Sequence, residues 1–304
     1  MKRLFLVWMI SATLAIAACG EDTTASSTSS LTSTSAPSST TTSTTMPDAS
    51  DEIDADCSTA YGRVAFIELF DTGERVCRRV GDYQEFVVVN RTSETVDLTW
   101  SDSPVSIQVG EVFQPGGAVS DHLDVGVHRI QTNRSPMTIE VVDPERSRFT
   151  DQPMLLRKWA DIRPGDSVAD AESRLGVPIV VPVEENGSGE EFCEYGFVES
   201  DPYSPGIMIH EGTQIVRLDA YAPQHQTASG IRIGSTTDDV LSTYQDKIER
   251  RPHEYANDGE YLVFVPVDAI DADYRVVFET NDDGVVTTFR NGLAGPVSWV
   301  EGCL

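Results

Sequence analysis

One stretch of this chain occurs twice, and nothing else in the sequence narrows the fold as far. Ile162-Arg163-Pro164-Gly165-Asp166-Ser167-Val168-Ala169-Asp170-Ala171-Glu172-Ser173-Arg174-Leu175 aligns without gaps on Ile231-Arg232-Ile233-Gly234-Ser235-Thr236-Thr237-Asp238-Asp239-Val240-Leu241-Ser242-Thr243-Tyr244. Two copies of one local pattern predict two copies of one supersecondary unit. In each copy a glycine, Gly165 or Gly234, turns the chain. Ser167 or Thr236 then stands at an N-cap position, and Asp170 or Asp239 three residues on completes a capping pair that suits the helix dipole. The spacing predicts two short helices, each with one apolar face: Val168, Ala171 and Leu175 in the first, Val240, Leu241 and Tyr244 in the second.

Strands follow each helix. Ile207-Met208-Ile209 and Gln214 to Leu218 flank a His210–Thr213 turn, while Tyr274 to Phe278 and Val285 to Phe289 flank a turn containing Asn281-Asp282-Asp283-Gly284. Tyr261 to Val265 supplies a further strand. Upstream, short runs at regular intervals read as β-structure: Arg63 to Phe70, Glu85 to Asn90, Thr95 to Trp100, Val105 to Val109, Val127 to Ile130 and Met137 to Val142. Gly, Pro and Asp separate them, the pattern of a small sandwich. The predicted class is α+β, an N-terminal β-sandwich over 55–145 followed by two tandem helix-plus-antiparallel-sheet units over 161–225 and 230–304, within a duplicated domain at 161–304. Residues 146–160 read as a connector, with Met154, Leu155, Leu156 and Trp159 free to pack between the domains.

The Ile-Arg-x-Gly starts at Ile162 and Ile231 resemble the β-lactamase-inhibitor-protein fold, built from tandem units of helical segment plus antiparallel sheet. They are also similar to the small lipoprotein subunit family of outer-membrane β-barrel assembly. The upstream segment resembles the immunoglobulin-like sandwiches of exported bacterial proteins. These resemblances imply a fold, and the first implies inhibition of an exported enzyme as an alternative role. The inhibitor fold commonly uses helix pairs and one disulfide per unit, whereas single helices are predicted here.

The N-terminus speaks to location. Met1-Lys2-Arg3 precedes an apolar run from Leu4 to Ala15, too short to span a bilayer, and then Ile16-Ala17-Ala18-Cys19. An aliphatic residue, two small residues and Cys resemble the lipobox of bacterial lipoproteins. That resemblance implies a signal peptide over 1–18, acylation of Cys19 by a palmitate-type chain, and anchorage at the extracytoplasmic face of a membrane. Residues 21–50 hold twenty Ser or Thr out of thirty, and such a segment cannot bury enough surface to offset its ordering entropy. Residues 19–54 are therefore expected to form a disordered tether with a reach of roughly 30 Å.

Charge excludes one large class of partner. The chain carries 49 Asp and Glu against 22 Lys and Arg, for a formal charge of −27, and such a surface repels nucleic acid. Four cysteines remain besides Cys19, an even number suited to an oxidising compartment. Three pairings are open to them. Cys57–Cys77 with Cys193–Cys303 keeps each bond within one predicted domain, contributing roughly 3 and 4–5 kcal/mol in the loop-entropy picture. No Cys-x-x-Cys spacing points to zinc.

Candidate chemistry is sparse. Gly165-Asp166-Ser167-Val168 imitates a GDSL hydrolase block, but no histidine follows an aspartate in the Asp-x-x-His spacing that would activate Ser167, and the matching Thr236 favours capping. His122 and His128, beside Asp121 and Asp124, form a weak zinc or copper candidate. Asp268, Asp271, Asp273, Asp282 and Asp283 offer oxygens without a calcium-loop spacing, and His225 and His253 stand alone. No nucleotide-binding or zinc-protease fingerprint occurs. The sequence thus predicts a non-enzymatic, cofactor-free, membrane-anchored envelope lipoprotein that binds a protein or another extracytoplasmic ligand, with no catalytic residues. A metal-dependent enzyme using His122 and His128 is the alternative from another class.

Overall fold

In the computed structural model, the residues described are 57–72, 76–100, 103–134, 136–182 and 193–302. The expected signal peptide, Cys19, the tether to residue 54 and Cys303 lie outside them. The N-terminal lobe contains β1 (Ser58–Thr59), β2 (Val64–Leu69), β3 (Val76–Gly81), β4 (Glu85–Asn90), β5 (Val96–Trp100), β6 (Ser103–Ile107), β7 (Val112–Phe113), β8 (Gly126–Ile130) and β9 (Met137–Val142). They form sheets β1-β3-β9-β8 and β2-β4-β7 and a hairpin of β5 and β6. Period-two alternation sends Ala65, Ile67, Leu69, Phe86 and Val88 inward, where they meet Val80, Trp100, Ile107, Met137 and Ile139.

Pairing in this lobe departs from that of an immunoglobulin sandwich, which is antiparallel. Strands β1 and β3, β3 and β9, and β2 and β4 run parallel. One covalent cause is visible. Cys57 is bonded to Cys77, and Ser58 and Thr59 then pair with Arg78 and Arg79. The disulfide therefore continues the parallel register by one step and pins β1 beside β3.

The C-terminal lobe opens with α1 (Arg148–Asp151) and contains α2 (Val168–Leu175), β10 (Ile179–Val180), β11 (Cys193–Val198), β12 (Gly206–His210), β13 (Gln214–Ala220), α3 (Thr237–Tyr244), β14 (Ile248–Pro252), β15 (Glu260–Phe264), β16 (Tyr274–Thr280) and β17 (Val286–Leu293). The α+β class holds. The two repeats share one eight-stranded antiparallel sheet, ordered β10-β11-β12-β13-β17-β16-β15-β14, so each repeat gives one helix and four strands and the last strand of each meets in the middle.

The capping pattern acts as the sequence predicts. Ser167 and Thr236 accept hydrogen bonds from the backbone of Asp170 and Asp239, both at 3.1 Å. Gly165 and Gly234 take positive φ at +103° and +90°, the conformation in which a Cβ is strained. Each turn is then tied to its own hairpin by equivalent bonds: Gly165 N–H to Ile215 O, and Gly234 N–H to Val286 O.

The segment 152–160 is more than a connector. Met154 N–H donates to Gln226 O and Ala228 N–H to Met154 O, zipping it onto the C-terminal lobe. Trp159 is fully buried with Phe149, Met154, Ala171, Leu218, Phe278 and Phe289. A large aromatic beside a helix-covered sheet gains more by entering that core than by bridging two surfaces.

Candidate functional site

Both lobes belong to one compact unit, Ser50–Leu304, and a buried polar seam joins them. Tyr203 donates from its hydroxyl to Asp82 Oδ1 (2.8 Å), while Asp82 N–H donates to the same hydroxyl (3.0 Å). Gln224 Nε2 adds a bond to Asp82 (2.9 Å). Tyr83 donates to Pro202 O, and the Tyr61 and Phe197 rings stack at 4.9 Å. Burial drives the Tyr203 hydroxyl pKa far above its ordinary value, so it stays a neutral donor.

Beside this seam opens a cleft of about 560 Å³. Strands β3 and β9 supply Arg79 and Glu140, which are register partners joined by a 2.9 Å ion pair. The interlobe segment supplies Arg146, Ser147, Arg148 and Asp151, and the C-terminal lobe supplies Asp161, Glu199 and Asp201; Val142, Val177 and Val198 form the apolar part. Ser147 holds the junction together. Its Oγ caps α1 by accepting from Phe149 N–H (3.1 Å) and donates to Asp201 Oδ2 (3.0 Å). Burial raises the Asp201 carboxyl pKa against the opposing pull of its hydrogen bonds from Tyr203 N–H and Ser147. Arg148 is committed to Leu175 O (3.1 Å). The cleft therefore offers guanidinium groups from β3 and the interlobe segment, and carboxylates from both lobes, on a wall fixed by hydrogen bonds. It can hold a ligand bearing charges of both signs.

The residues singled out from sequence are dispersed. His122 Nε2 meets Gly116 O (2.8 Å), with its ring edge-on to Trp100, and His128 Nε2 meets Asp124 O (2.7 Å). Each imidazole serves a different carbonyl, and among the described residues no group of three or more His, Cys, Asp or Glu could hold a metal ion. Ser167 is engaged in capping, its Oγ donating to Asp170 (2.7 Å). Asp271 pairs with Arg157, and Asp282 accepts from Asp258 N–H. His253 stacks on Tyr261 at 4.5 Å. His225 is fully buried, donating from Nε2 to Tyr203 O (2.9 Å) and accepting Ala222 N–H at Nδ1, and burial pushes its pKa down to about 3. Cys193 is disulfide-bonded; the expected partner, Cys303, is outside the described residues.

A second polar array was not anticipated. On the sheet face opposite the helices, buried Arg217 pairs with Asp219 (2.9 Å), and buried Arg290 pairs with Glu279. The chain after β17 folds back over them. Arg217 donates to Trp299 O (2.7 Å) and Pro296 O, Arg290 donates to Val297 O (2.7 Å), and Val297 is buried against Tyr261, Val263 and Val277. These groups are engaged by one another, by the Tyr195 hydroxyl, which accepts from Arg217 at 2.6 Å, and by the strap after β17.

No family model matches the chain, and no curated relative matches it. Among solved structures it is similar to a DUF4309 family protein from Bacillus subtilis, at 12% identity and a TM-score of 0.30, covering 47% of this chain and 89% of that one. It is also similar to an extracellular protein containing an SCP domain from Bacillus anthracis, at 10% identity and a TM-score of 0.28 over 46% of this chain. The chain spans about half of that protein, 49% of its length.

Proposed function

We propose that this protein is a lipid-anchored, extracytoplasmic binding module without enzymatic activity, tethered through Cys19 and presenting the interlobe cleft to a protein or other envelope ligand. The observation that carries the reading is a cleft built from both lobes and lined by charges of both signs beside a hydrogen-bonded seam. Such a surface suits recognition of a partner with interspersed charge. The Ile16-Ala17-Ala18-Cys19 pattern and the Ser/Thr-rich stretch after it support the location. Inhibition of an exported enzyme is the second reading, favoured by the union of two α+β units in one sheet.

The test is capture from detergent-solubilised envelope with the whole chain as bait, comparing wild type with Arg146→Glu and Asp161→Lys. One saturable partner lost in both variants supports the cleft. Capture indifferent to both substitutions, or none at all, overturns it. Loss of labelling by an alkyne-bearing palmitate in Cys19→Ser tests the anchor separately.

A further inference from the structure

One tight turn after β13 holds both sides of the seam between the lobes. His225 N–H donates to Ala222 O (2.9 Å), and the side chain closes the same turn, Nδ1 accepting Ala222 N–H at 3.3 Å. From this turn Gln224 reaches Asp82 of the N-terminal lobe (2.9 Å), and His225 Nε2 holds Tyr203 O (2.9 Å). Tyr203 is the other half of the seam. Its hydroxyl is bonded to Asp82, and its N–H to Asp201 Oδ1 (3.0 Å) in the cleft wall. The two apolar cores do not mix. One is built from residues between Ala60 and Val141, the other from residues between Phe149 and Phe289, and a small cluster of Tyr83, Tyr203 and Ala222 lies between them.

The turn accepts only a neutral imidazole. The Nε2 proton is committed to the Tyr203 carbonyl, so Nδ1 must remain an acceptor for Ala222 N–H, and a second proton there sets donor against donor. The ring is fully buried, with Trp159 edge-on at 4.6 Å. The titratable groups of the elements packed round it are Tyr203 and Asp201 from the β11–β12 loop, Asp82 and Tyr83 from the β3–β4 turn, and Tyr221 just after β13. Only burial and the Tyr203 carbonyl act on the imidazole, so no carboxylate steadies its charged form. Opening the turn returns the ring to water, where it takes up a proton as an ordinary histidine does. The closed turn also buries Gln224 Oε1 without a hydrogen-bond partner, and water satisfies that oxygen on opening.

We propose that His225 is an acid-operated latch between the lobes: its protonation opens the turn, frees the loop bearing Tyr203 and parts the seam, while each lobe keeps its own core. The latch loosens the cleft wall through Asp201, and it rests neither on the lipid anchor nor on what the cleft binds. The whole chain is tested by amide deuterium exchange followed by NMR at pH 7 and pH 5, with labelling times scaled to the intrinsic exchange rate at each pH. Closed and open pKa values of about 3 and about 6.5 favour opening by roughly twentyfold between these conditions. The raised pKa of Asp201 favours the closed seam in acid and takes back part of this. Protection of the Asp82 and Tyr203 amides is therefore expected to fall by about tenfold, with β9 and β16 unchanged. His225→Gln places a side chain there that cannot titrate and should abolish the fall. Gln224→Ala should lower protection by the same factor at both pH values. Nitrogen spectra of the wild-type imidazoles give a reading that needs no variant, with His225 expected as the neutral Nε2–H form while the seam is closed. Seam protection that is flat from pH 7 to pH 5 overturns the proposal, as does a fall shared equally by β16 or one retained in a folded His225→Gln. A His225 ring that titrates near pH 6.5 with the seam still protected also overturns it.

Discussion

Asp219 and Arg290 lie directly opposite each other across the central strand pair of the eight-stranded sheet, and each is the other's counterpart in the internal duplication. Ile215 and Val286 accept the same bond from the glycine before each helix, and the same number of steps along each strand leads from them to Asp219 and Arg290. The pair therefore sits on the pseudo-two-fold axis that relates the repeats. The sequence has diverged there to opposite charges, and each residue has acquired a separate ion partner, Arg217 and Glu279.

Truncating one member of a buried ion pair leaves the other uncompensated. Asp219→Ala is expected to cost about 3–5 kcal/mol of unfolding free energy, because Arg217 keeps its charge in a site closed to water. Urea denaturation checks this, and the double variant Arg217→Met with Asp219→Leu should recover most of the loss.

Gly292 stands beside Arg217 in the same strand pair. A Cβ at this position would lie 2.5 Å from Val216 O and 3.0 Å from Arg217 Cα, and backbone atoms in the middle of a sheet cannot yield. Gly292→Ala should destabilise the fold by about 1–3 kcal/mol, seen as a lower urea midpoint without a change in slope.

His225 makes stability depend on pH. Its folded pKa is about 3, against about 6.5 in an unfolded chain, so between these values the unfolded state binds the extra proton. The stabilisation is complete above pH 6.5 and falls by about 1.4 kcal/mol for each unit of acidification towards pH 3. The raised carboxyl pKa of Asp201 works in the opposite sense. Comparing urea midpoints of wild type and His225→Gln from pH 7 to 4 isolates the histidine, and the variant should have the flatter profile.

Non-reducing peptide mapping should find two bonds, Cys57–Cys77 and Cys193–Cys303. A link from Cys57 or Cys77 to Cys193 or Cys303 would contradict both the observed N-terminal bridge and the division of the chain near residue 150.

What could be read in advance was whatever is decided locally. The caps at Ser167 and Thr236, the hairpins at His210–Thr213 and Asn281–Gly284, and the strands Glu85–Asn90 and Met137–Val142 each follow from neighbouring residues. Strand β3 was missed because Arg78 and Arg79 mask its alternation, and β14 because an edge strand reading Ile-Glu-Arg-Arg-Pro resembles a loop. Parallel pairing of β2 with β4 left no local trace. At the cleft, Arg79 and Glu140 meet only through register, and Ser147 and Asp201 meet only once the lobes dock. On β13 the alternation of Arg217 and Asp219 with Leu218 and Ala220 reads as a solvent face. One clue to the contrary was available: Pro296-Val297-Ser298-Trp299-Val300, after the last strand, is apolar and needs a seat.

That strap also sets an order of events. A ribosome delivers Arg217 long before Trp299, the carbonyl of which lies 82 positions downstream and receives its hydrogen bond. Until Pro296, Val297 and Trp299 are made, the guanidiniums of Arg217 and Arg290 have open faces and Val263 and Val277 lack their lid. The first repeat can form its helix and hairpin by itself, but the polar face of the sheet shared by both repeats is covered only once the strap has followed β17.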